Sequence, residues 1–422
     1  MQPPIAKQVP HVWQRPTGPV DDPWAWLRDR NDPDTIGYLD AENRWADAWF
    51  GARADTVESI FHEIKQRVQE TDTAAPVRKG DWWYVSRTVE GEAYAIHCRG
   101  RSRETATEQV LLDENVEAEG HEYFAVNAFD VNPQHTVLAW SSDDDGSEQY
   151  TMHFRDLATG NDLTDVLEGT TWGGTAWSAD GSTIFYVTAD EQMRPCTVWR
   201  HRLGTAQADD VQVFHEPDER FYVSIDLTRS DQWVVIESAS IVSSEVLLIP
   251  ATAPDTAPSL VRPRGDEIEY SLDHWGDRWI VLTNLDAVDF RVLTAPLDRP
   301  AEWSELVPHV AGRRIVGVDA FADHLVLHEW SDAQPRLRVL FRDGTERIVH
   351  VSDEPHDVEL EANPEWRQTT VRYVTQSLTT PLAVYEEDVR TGERRMLKQT
   401  PVPSVDLGAY SAERLWATAP DG

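Results

Sequence analysis

Basic residues are scarce in this sequence, and lysine is the rarest of them. The 422 residues include 38 Lys and Arg against 74 Asp and Glu, so the formal net charge is −36 at pH 7. A protein that binds nucleic acid through its phosphates needs a basic surface, and this class of function is therefore excluded. Compositional bias of the host is the simplest explanation of the acidity, and a high-salt habitat or a cationic partner is the alternative. The four lysines are Lys7, Lys65, Lys79 and Lys398.

Cysteine and long apolar runs are also missing. Cys98 and Cys196 are the two cysteines, and neither belongs to a CxxC motif, which excludes a disulfide framework and a cysteine-based zinc ribbon. The N-terminal segment has no signal-peptide core, and nowhere do about 18 apolar residues follow one another. We therefore expect a cytoplasmic protein that neither spans nor binds a membrane.

The first 70 or so residues carry helical patterns. Asp32 followed by Pro33 predicts the start of one helix. Farther on, Asp55 and Glu58 have the spacing of a capping box ahead of a second helix with one apolar stripe. Such a stripe must pack against something. Its members are Val57, Ile60, Phe61, Ile64 and Val68.

From about residue 76 the sequence repeats a strand pattern. Short runs of β-branched and aromatic residues alternate with Gly, Asp, Asn and Pro turns. Seven strong strands begin near residues 81, 136, 183, 232, 278, 324 and 369. Even spacing with room for about four strands per unit predicts an all-β fold, a seven-bladed β-propeller preceded by an α-helical segment. Sandwiches would explain the strands but not their spacing, and the absence of Trp-Asp dipeptides excludes WD repeats.

No motif supplies a catalytic, cofactor or metal site. The Gly-x-Ser-x-Gly pattern of a nucleophile elbow is absent, and Ser147 and Ser182 are expected in hairpin turns. The His-Glu pairs lack the second histidine of zinc proteases. The acidic run from Asp143 to Glu148 has glycine fourth, where a calcium loop needs it sixth, and is interpreted as a solvated turn. We predict no catalytic, cofactor-binding or metal-binding residue in this chain.

Several segments, in their order, resemble the N-terminal part of the prolyl oligopeptidase family of serine peptidases, most closely its oligopeptidase B (protease II) branch. The resemblance covers essentially the whole chain, and the tail AYSAERLWATAPDG resembles the start of the family's second domain. The other segments include DDPWAWLRDRNDPDTIGYLDAEN, LLDENVEAEGHEYF, GSEQYTMHFRDLATG, RPCTVWRHRLGT, LTNLDAVDFRVLTAPL, VDAFADHLVLHEW and SLTTPLAVYEEDVRTGERRMLKQTPVP.

The resemblance implies a two-domain enzyme in which a propeller caps an α/β-hydrolase domain that carries Ser, Asp and His. Residues 1–72 would form an extended and helical segment that packs on the hydrolase domain, 73–408 the propeller, and 409–422 the start of the hydrolase domain. All three catalytic residues would lie beyond residue 422. The chain would then gate substrate and be inactive alone.

The oligopeptidase B branch cleaves short peptides after Arg or Lys, so the resemblance implies short, cationic peptides and the hydrolase domain, in cis or in trans, as partners. The acidic composition would favour the approach of such peptides. The alternative is a free-standing propeller that binds peptides or proteins. A propeller with its own central site, such as a glycoside hydrolase, lacks a carboxylate pair that stands out among the 74 acids.

Overall fold

The structure, a computed structural model, describes residues 2–422, which form two compact units. The first unit contains the described residues up to Gln69 together with Pro401–Val405, and the second contains Glu70–Thr400 with Asp406–Gly422. The domain boundaries expected at residues 72 and 408 stay predictions. None of the described helices is long and apolar enough to cross a membrane.

The first unit is mainly helical. Its first long helix begins as predicted, because the Asp32 side chain accepts a hydrogen bond from the Asp34 N–H at 2.8 Å and Pro33 takes the first helical position. Proline is suited to that position, since its missing N–H would have no intrahelical partner there. The elements are β1 (Val12–Arg15), β2 (Gly18–Asp21), a 3-10 helix (Ala25–Arg28), α1 (Pro33–Gly51) and α2 (Ala54–Lys65).

The predicted capping box of α2 is wrong. The helix begins at Ala54 after the N-cap residue Arg53, whose side chain makes no capping bond, so Asp55 lies inside the first turn. There its carboxylate faces the positive end of the helix dipole instead of forming a box with Glu58. The predicted apolar stripe packs against nothing within the described residues. All of its members are exposed: Val57, Ile60, Phe61, Ile64 and Val68.

The second unit consists of antiparallel sheets whose strands follow in chain order, except that β3 and β4 both pair with β5. The first sheet contains β3 (Asp72–Thr73), β4 (Val77–Lys79), β5 (Trp82–Thr88), β6 (Ile96–Gly100) and β7 (Gln109–Asp113), followed by α3 (Glu114–Glu117). The second contains β8 (Ala125–Val131), β9 (Val137–Asp143), β10 (Tyr150–Asp156), β11 (Asp162–Trp177), β12 (Thr183–Ala189), β13 (Pro195–Arg202) and β14 (Val211–His215). The third contains β15 (Tyr222–Leu227), β16 (Trp233–Ala239), β17 (Ser244–Pro250) and β18 (Ser259–Leu260).

Three further sheets of four strands complete this unit. The fourth contains β19 (Tyr270–His274), β20 (Arg278–Thr283), β21 (Arg291–Pro296) and β22 (Ser304–Val307). The fifth contains β23 (Arg313–Ala320), β24 (His324–Ser331), β25 (Gln334–Phe341) and β26 (Glu346–Ile348). The sixth contains β27 (Asp357–Leu360), β28 (Thr370–Gln376), β29 (Ala383–Asp388) and β30 (Arg394–Gln399). Short 3-10 helices occupy Gln207–Asp209 and Leu407–Ala409.

The all-β propeller expected from the sequence is confirmed. The seven strong strands are β5, β9, β12, β16, β20, β24 and β28, and each begins within one residue of the predicted position. In each sequence repeat, this strand follows the innermost strand or strands, and it pairs with another strand on both of its edges. A strand with neighbours on both edges and apolar clusters on its faces needs the most continuous apolar sequence, which is why these strands gave the clearest signal.

The expectation of seven separate blades needs correction, because the strands form six propeller sheets. One of them has seven strands, since β11 is 16 residues long and pairs on both sides. Residues 162–170 pair with β10 and residues 170–177 pair with β12. The register shifts between Thr170 and Thr175, around Gly173 and Gly174, and this irregularity lets one strand serve both halves of the sheet.

The last sheet meets the first through hydrogen bonds between side chains and the backbone. Arg372 donates to the carbonyl oxygens of Pro76 at 2.8 Å and Ala75 at 3.3 Å. The Gly80 N–H donates to a Glu365 carboxylate oxygen at 2.5 Å. Among the described residues, no β-ladder joins these two sheets.

Candidate functional site: the central channel

A channel of about 720 Å³ lies between the innermost strands, and its lining is acidic. The strands β4, β8, β11, β15, β19 and β23 all contribute to it. Six carboxylates line the channel, against two basic side chains. The carboxylates are Asp130, Asp226, Asp231, Glu237, Asp273 and Asp319, and the basic side chains are Lys79 and Arg229.

Four of these carboxylates form a row that repeats with the fold. Asp130, Asp226, Asp273 and Asp319 are each the penultimate residue of an innermost strand, namely β8, β15, β19 and β23. Asp226, Asp273 and Asp319 are 47 and 46 residues apart, which is the period of the repeat. The sequence reasoning missed this row, although an alignment of the repeats would have shown it.

Two aspartates of the row bond to the next innermost strand around the ring. Asp273 on β19 accepts a hydrogen bond from the Ala320 N–H on β23 at 2.8 Å. Asp130 on β8 accepts one from the Thr175 hydroxyl on β11 at 3.2 Å. These carboxylates therefore hold neighbouring parts of the propeller together while they face the channel.

Arg229 connects three sheets at this end of the channel. It follows β15, and its guanidinium lies 2.6 Å from an Asp319 carboxylate oxygen. The same group donates to the carbonyl oxygen of Ala320 at 3.0 Å and to that of Asn363, beyond β27, at 2.8 Å. It also lies 4.2 Å from the centre of the Phe321 ring. The planar guanidinium of arginine can serve several acceptors at once, so Arg229 bridges the strands around this mouth, or end, of the channel. We call these contacts the strap of Arg229.

Burial raises the pKa values of the carboxyl groups that line the channel. It raises the pKa of Asp273 to about 7 and that of Asp130 to about 6. Burial also raises the pKa values of Asp226, Asp231 and Glu237, and the nearby Lys79 ammonium opposes this rise at Asp226 and Asp231. A low-polarity environment disfavours the charged carboxylate, so the channel becomes more negative as the pH rises through neutrality.

The opposite mouth carries aromatic side chains. Trp172 on β11 and Tyr222 at the start of β15 stack with ring centroids 6.1 Å apart and planes inclined by 29°. Each is about half exposed, and Trp172 lines the channel. Since β15 runs from Tyr222 to Leu227, this pair and the strap of Arg229 lie at opposite ends of the channel.

The residues weighed in the sequence lie in turns. Asp143 accepts hydrogen bonds from the N–H groups of Asp145, Gly146 and Glu148 at 2.8 to 3.0 Å, and it is buried rather than solvated. Ser182 donates its backbone N–H to Asp180 at 3.0 Å, as Ser147 does to Asp145 at 2.9 Å. Within residues 2–422 no group of three or more His, Cys, Asp or Glu could hold a metal ion.

Residues 3–400 match the family described as prolyl oligopeptidase, N-terminal beta-propeller domain. Dipeptidyl aminopeptidase BI of Pseudoxanthomonas mexicana is 36% identical over all of this chain and 61% of its own length. Protease 2 of Moraxella lacunata is 30% identical over all of this chain and 62% of its own length. The resemblance predicted from the sequence is confirmed.

Solved structures of oligopeptidase B share the fold. The enzyme from Leishmania major has a TM-score of 0.92 at 28% identity over all of this chain and 64% of that chain. The closed form from Trypanosoma brucei with covalently bound antipain has a TM-score of 0.92 at 30% identity, with the same coverage. The chain thus spans about three fifths of the length of these relatives.

Proposed function

This chain belongs to the prolyl oligopeptidase family, through its N-terminal β-propeller domain, and we propose that it gates the access of short peptides to a serine-peptidase domain of the oligopeptidase B kind. The complete enzyme would cleave after Arg or Lys. Its Ser, Asp and His would lie on the hydrolase domain, outside these 422 residues, and the chain alone would be inactive. The acid-lined channel is the observation that carries this proposal.

The channel suits cationic peptides. Six carboxylates against two basic side chains, in a chain of formal charge −36, attract positive groups and raise their local concentration. The half-exposed Trp172 and Tyr222 at the open mouth offer apolar and cation–π contacts to an arriving side chain. Arg229 closes the other mouth, so peptides would reach the channel from the aromatic side when the propeller and the hydrolase domain separate.

The face with the aromatic mouth also has the apolar surface that a second domain needs. Neighbouring strands of an antiparallel sheet run in opposite directions. In each repeat, the turn between the second and third strands therefore lies at the same face of the propeller as the start of the first strand. Ile241, Val288 and Leu378 occupy three of these turns and are 94%, 77% and 95% exposed. The turns at the opposite face carry no exposed large apolar side chain among the described residues. We assign the first face to the hydrolase domain, and the exposed stripe of α2 to the same partner.

Three finer points complete the proposal. The seven-stranded sheet acts as two blades that share β11, which makes seven blades in all. Residues 1–72 and 409–422 belong with the hydrolase domain. Cys98 and Cys196, both buried and unpaired, suit a reducing compartment such as the cytoplasm.

The test compares this chain with the longer protein from its source. An Arg-containing fluorogenic peptide and a serine-directed covalent probe are applied to both, with a neutral peptide of equal length as the control. We expect no turnover and no labelling of the 422-residue chain, but turnover, labelling and a preference for the Arg peptide in the longer protein. Turnover by the chain alone contradicts the proposal. If no protein longer than this chain exists in the source, the free-standing binding module replaces it.

A further inference from the structure

A second cleft, of about 570 Å³, lies between the fourth and fifth sheets and shares no lining residue with the channel. Four arginines and a single glutamate line it, the reverse of the balance in the channel, although Arg338 already pairs with Glu329 and Glu346, and Arg278 and Arg342 pair with Asp277. Such a concentration of positive charge is unusual in a chain with 38 basic and 74 acidic residues. The four are Arg278, Arg313, Arg338 and Arg342.

One end of the cleft is built around a tight turn that begins at Trp275. Arg342 donates to the carbonyl oxygens of Trp275 and Ala322, both at 2.8 Å, and lies 3.1 Å from the Asp277 carboxylate. Gly276 has φ +72°, and a Cβ there would stand 3.0 Å from an Arg342 guanidinium nitrogen. Glycine therefore allows the turn to close and the guanidinium to lie against it, so Arg342 is fixed in place.

Some hydrogen-bond donors at this end have no acceptor among the described residues. Trp275 is only 3% exposed, and its indole N–H has no partner among the described residues. The bonds of Arg342 use three of its five N–H groups, and the side chain of Arg278 bonds only to Asp277. Buried N–H groups are nearly always paired in folded proteins, so an unpaired one in a ring that the Arg342 guanidinium covers at 4.2 Å indicates a place for an anionic acceptor.

The rest of the cleft combines apolar side chains with Arg313 and with the ion pair of Arg338 and Glu346. Leu306, Val307 and Pro308 line one side and Leu340 the other, and Val307 and Leu340 are buried. A ligand that fills the cleft therefore needs an apolar body as well as an anionic end. The volume lies within the range of small-molecule sites.

We propose that this cleft binds a small amphipathic carboxylate, with the carboxylate at Trp275, Arg278 and Arg342 and the apolar chain along Val307 and Leu340. The two oxygens of a carboxylate match the parallel N–H groups of a guanidinium. Such a ligand would connect two neighbouring sheets of the propeller. The proposal concerns a site separate from the channel and does not depend on peptidase activity.

The test uses octanoate as the ligand, measured by isothermal titration calorimetry on the 422-residue chain. We expect octan-1-ol, octylammonium, acetate and inorganic phosphate each to bind at least about tenfold more weakly, because each lacks either the charge or the chain. Arg278→Gln should weaken octanoate binding by about fivefold or more. The matched control is Arg202→Gln, since Arg202 is also a surface arginine paired with one aspartate, and it should leave binding unchanged.

A second readout follows the indole N–H signals in a ¹⁵N–¹H spectrum. Trp275→Phe identifies the Trp275 signal, which should shift as octanoate is added to the parent protein, and the variant should bind octanoate more weakly. Equal binding of octanoate and octylammonium, or equal loss in the Arg278 and Arg202 variants, would overturn the proposal. If Trp275→Phe does not fold, the two arginine variants decide the question.

Discussion

Asp273 illustrates how a single side chain sets the charge of the channel. Burial raises its pKa from 3.8 to about 7, although it accepts hydrogen bonds from the N–H groups of Ala320 and His274 that favour the charged form. The folded protein therefore binds a proton at Asp273 that the unfolded chain releases near pH 4. This contribution to stability is present below pH 4 and is lost as the pH rises through about 7.

Asp273→Asn should remove this pH dependence. We expect the free energy of unfolding of the variant, relative to the parent, to rise by about 1–2 kcal/mol between pH 4.5 and pH 8.5 after allowance for water in the channel. A loss that does not depend on pH adds to this change, because the amide nitrogen of Asn cannot accept the N–H hydrogen bond that a carboxylate oxygen of Asp273 accepts. Urea unfolding at the two pH values measures the difference. Asp218→Asn is the control, since the hydrogen bond from Arg220 lowers the pKa of Asp218 to about 2, below this window. An Asp273 variant with the parent's pH slope contradicts the prediction.

Arg229 is the second side chain with a large expected effect. Arg229→Lys keeps the charge but replaces the planar fork, which serves Asp319, Ala320 and Asn363, with a point charge. We expect a loss of about 2–3 kcal/mol in the free energy of unfolding. Arg220→Lys should cost much less, because Arg220 is exposed and its one salt-bridge partner among the described residues is Asp218. Equal losses of unfolding free energy in the two variants would show that the strap of Arg229 adds no more stability than a surface ion pair.

A glycine constrains the sequence of β11. Gly174 has φ +92°, and a Cβ there would come within 2.3 Å of the Ile225 carbonyl oxygen on β15. A residue with a side chain would be strained by this backbone conformation and would clash with the Ile225 carbonyl oxygen. The seven-stranded sheet therefore depends on glycine at the point where β11 leaves one half of the sheet and enters the other.

Gly174→Ala should destabilise the protein by about 3 kcal/mol or more, because backbone strain and a clash with main-chain atoms add together. Gly169→Ala in the same strand is the matched control. Its φ of +70° is strained too, but no atom lies within 4 Å of its Cβ, so about 1 kcal/mol is expected. Thermal or urea unfolding of both variants gives the comparison, and similar losses would mean that close packing at Gly174 is unimportant.

Charge acts on the molecule as a whole. A formal charge of −36 produces self-repulsion in the folded state, which salt screens. Raising NaCl from about 0.1 M to about 1 M shortens the Debye length from about 10 Å to about 3 Å. We expect the free energy of unfolding to rise over this range. Sucrose at matched osmolality is the control, because it stabilises by exclusion without screening, and an equal effect of the two would rule out screening as the cause.

The regular features of the whole fold could be read from the sequence. The strong strand of each repeat, such as β12 or β24, is apolar on both faces and recurs at the repeat period. The start of α1 at Asp32 and Pro33 is a local signal in the sequence. The strap of Arg229 could not be predicted, because its partners Asp319 and Asn363 lie 90 and 134 residues away. Nor does the spacing reveal that β11 serves two sheet halves, since its pairing depends on local backbone geometry.

The joints between neighbouring parts of the propeller differ in strength. A continuous ladder of hydrogen bonds through β11 fixes one joint, whereas side-chain bonds such as those of Arg372 close the ring between the last and first sheets. These two sheets can separate without breaking any strand pairing. Amide exchange should therefore begin at β3 and β27 and reach β8–β14 last, as one cooperative unit. Opening of the ring would begin at the joint where its two ends meet.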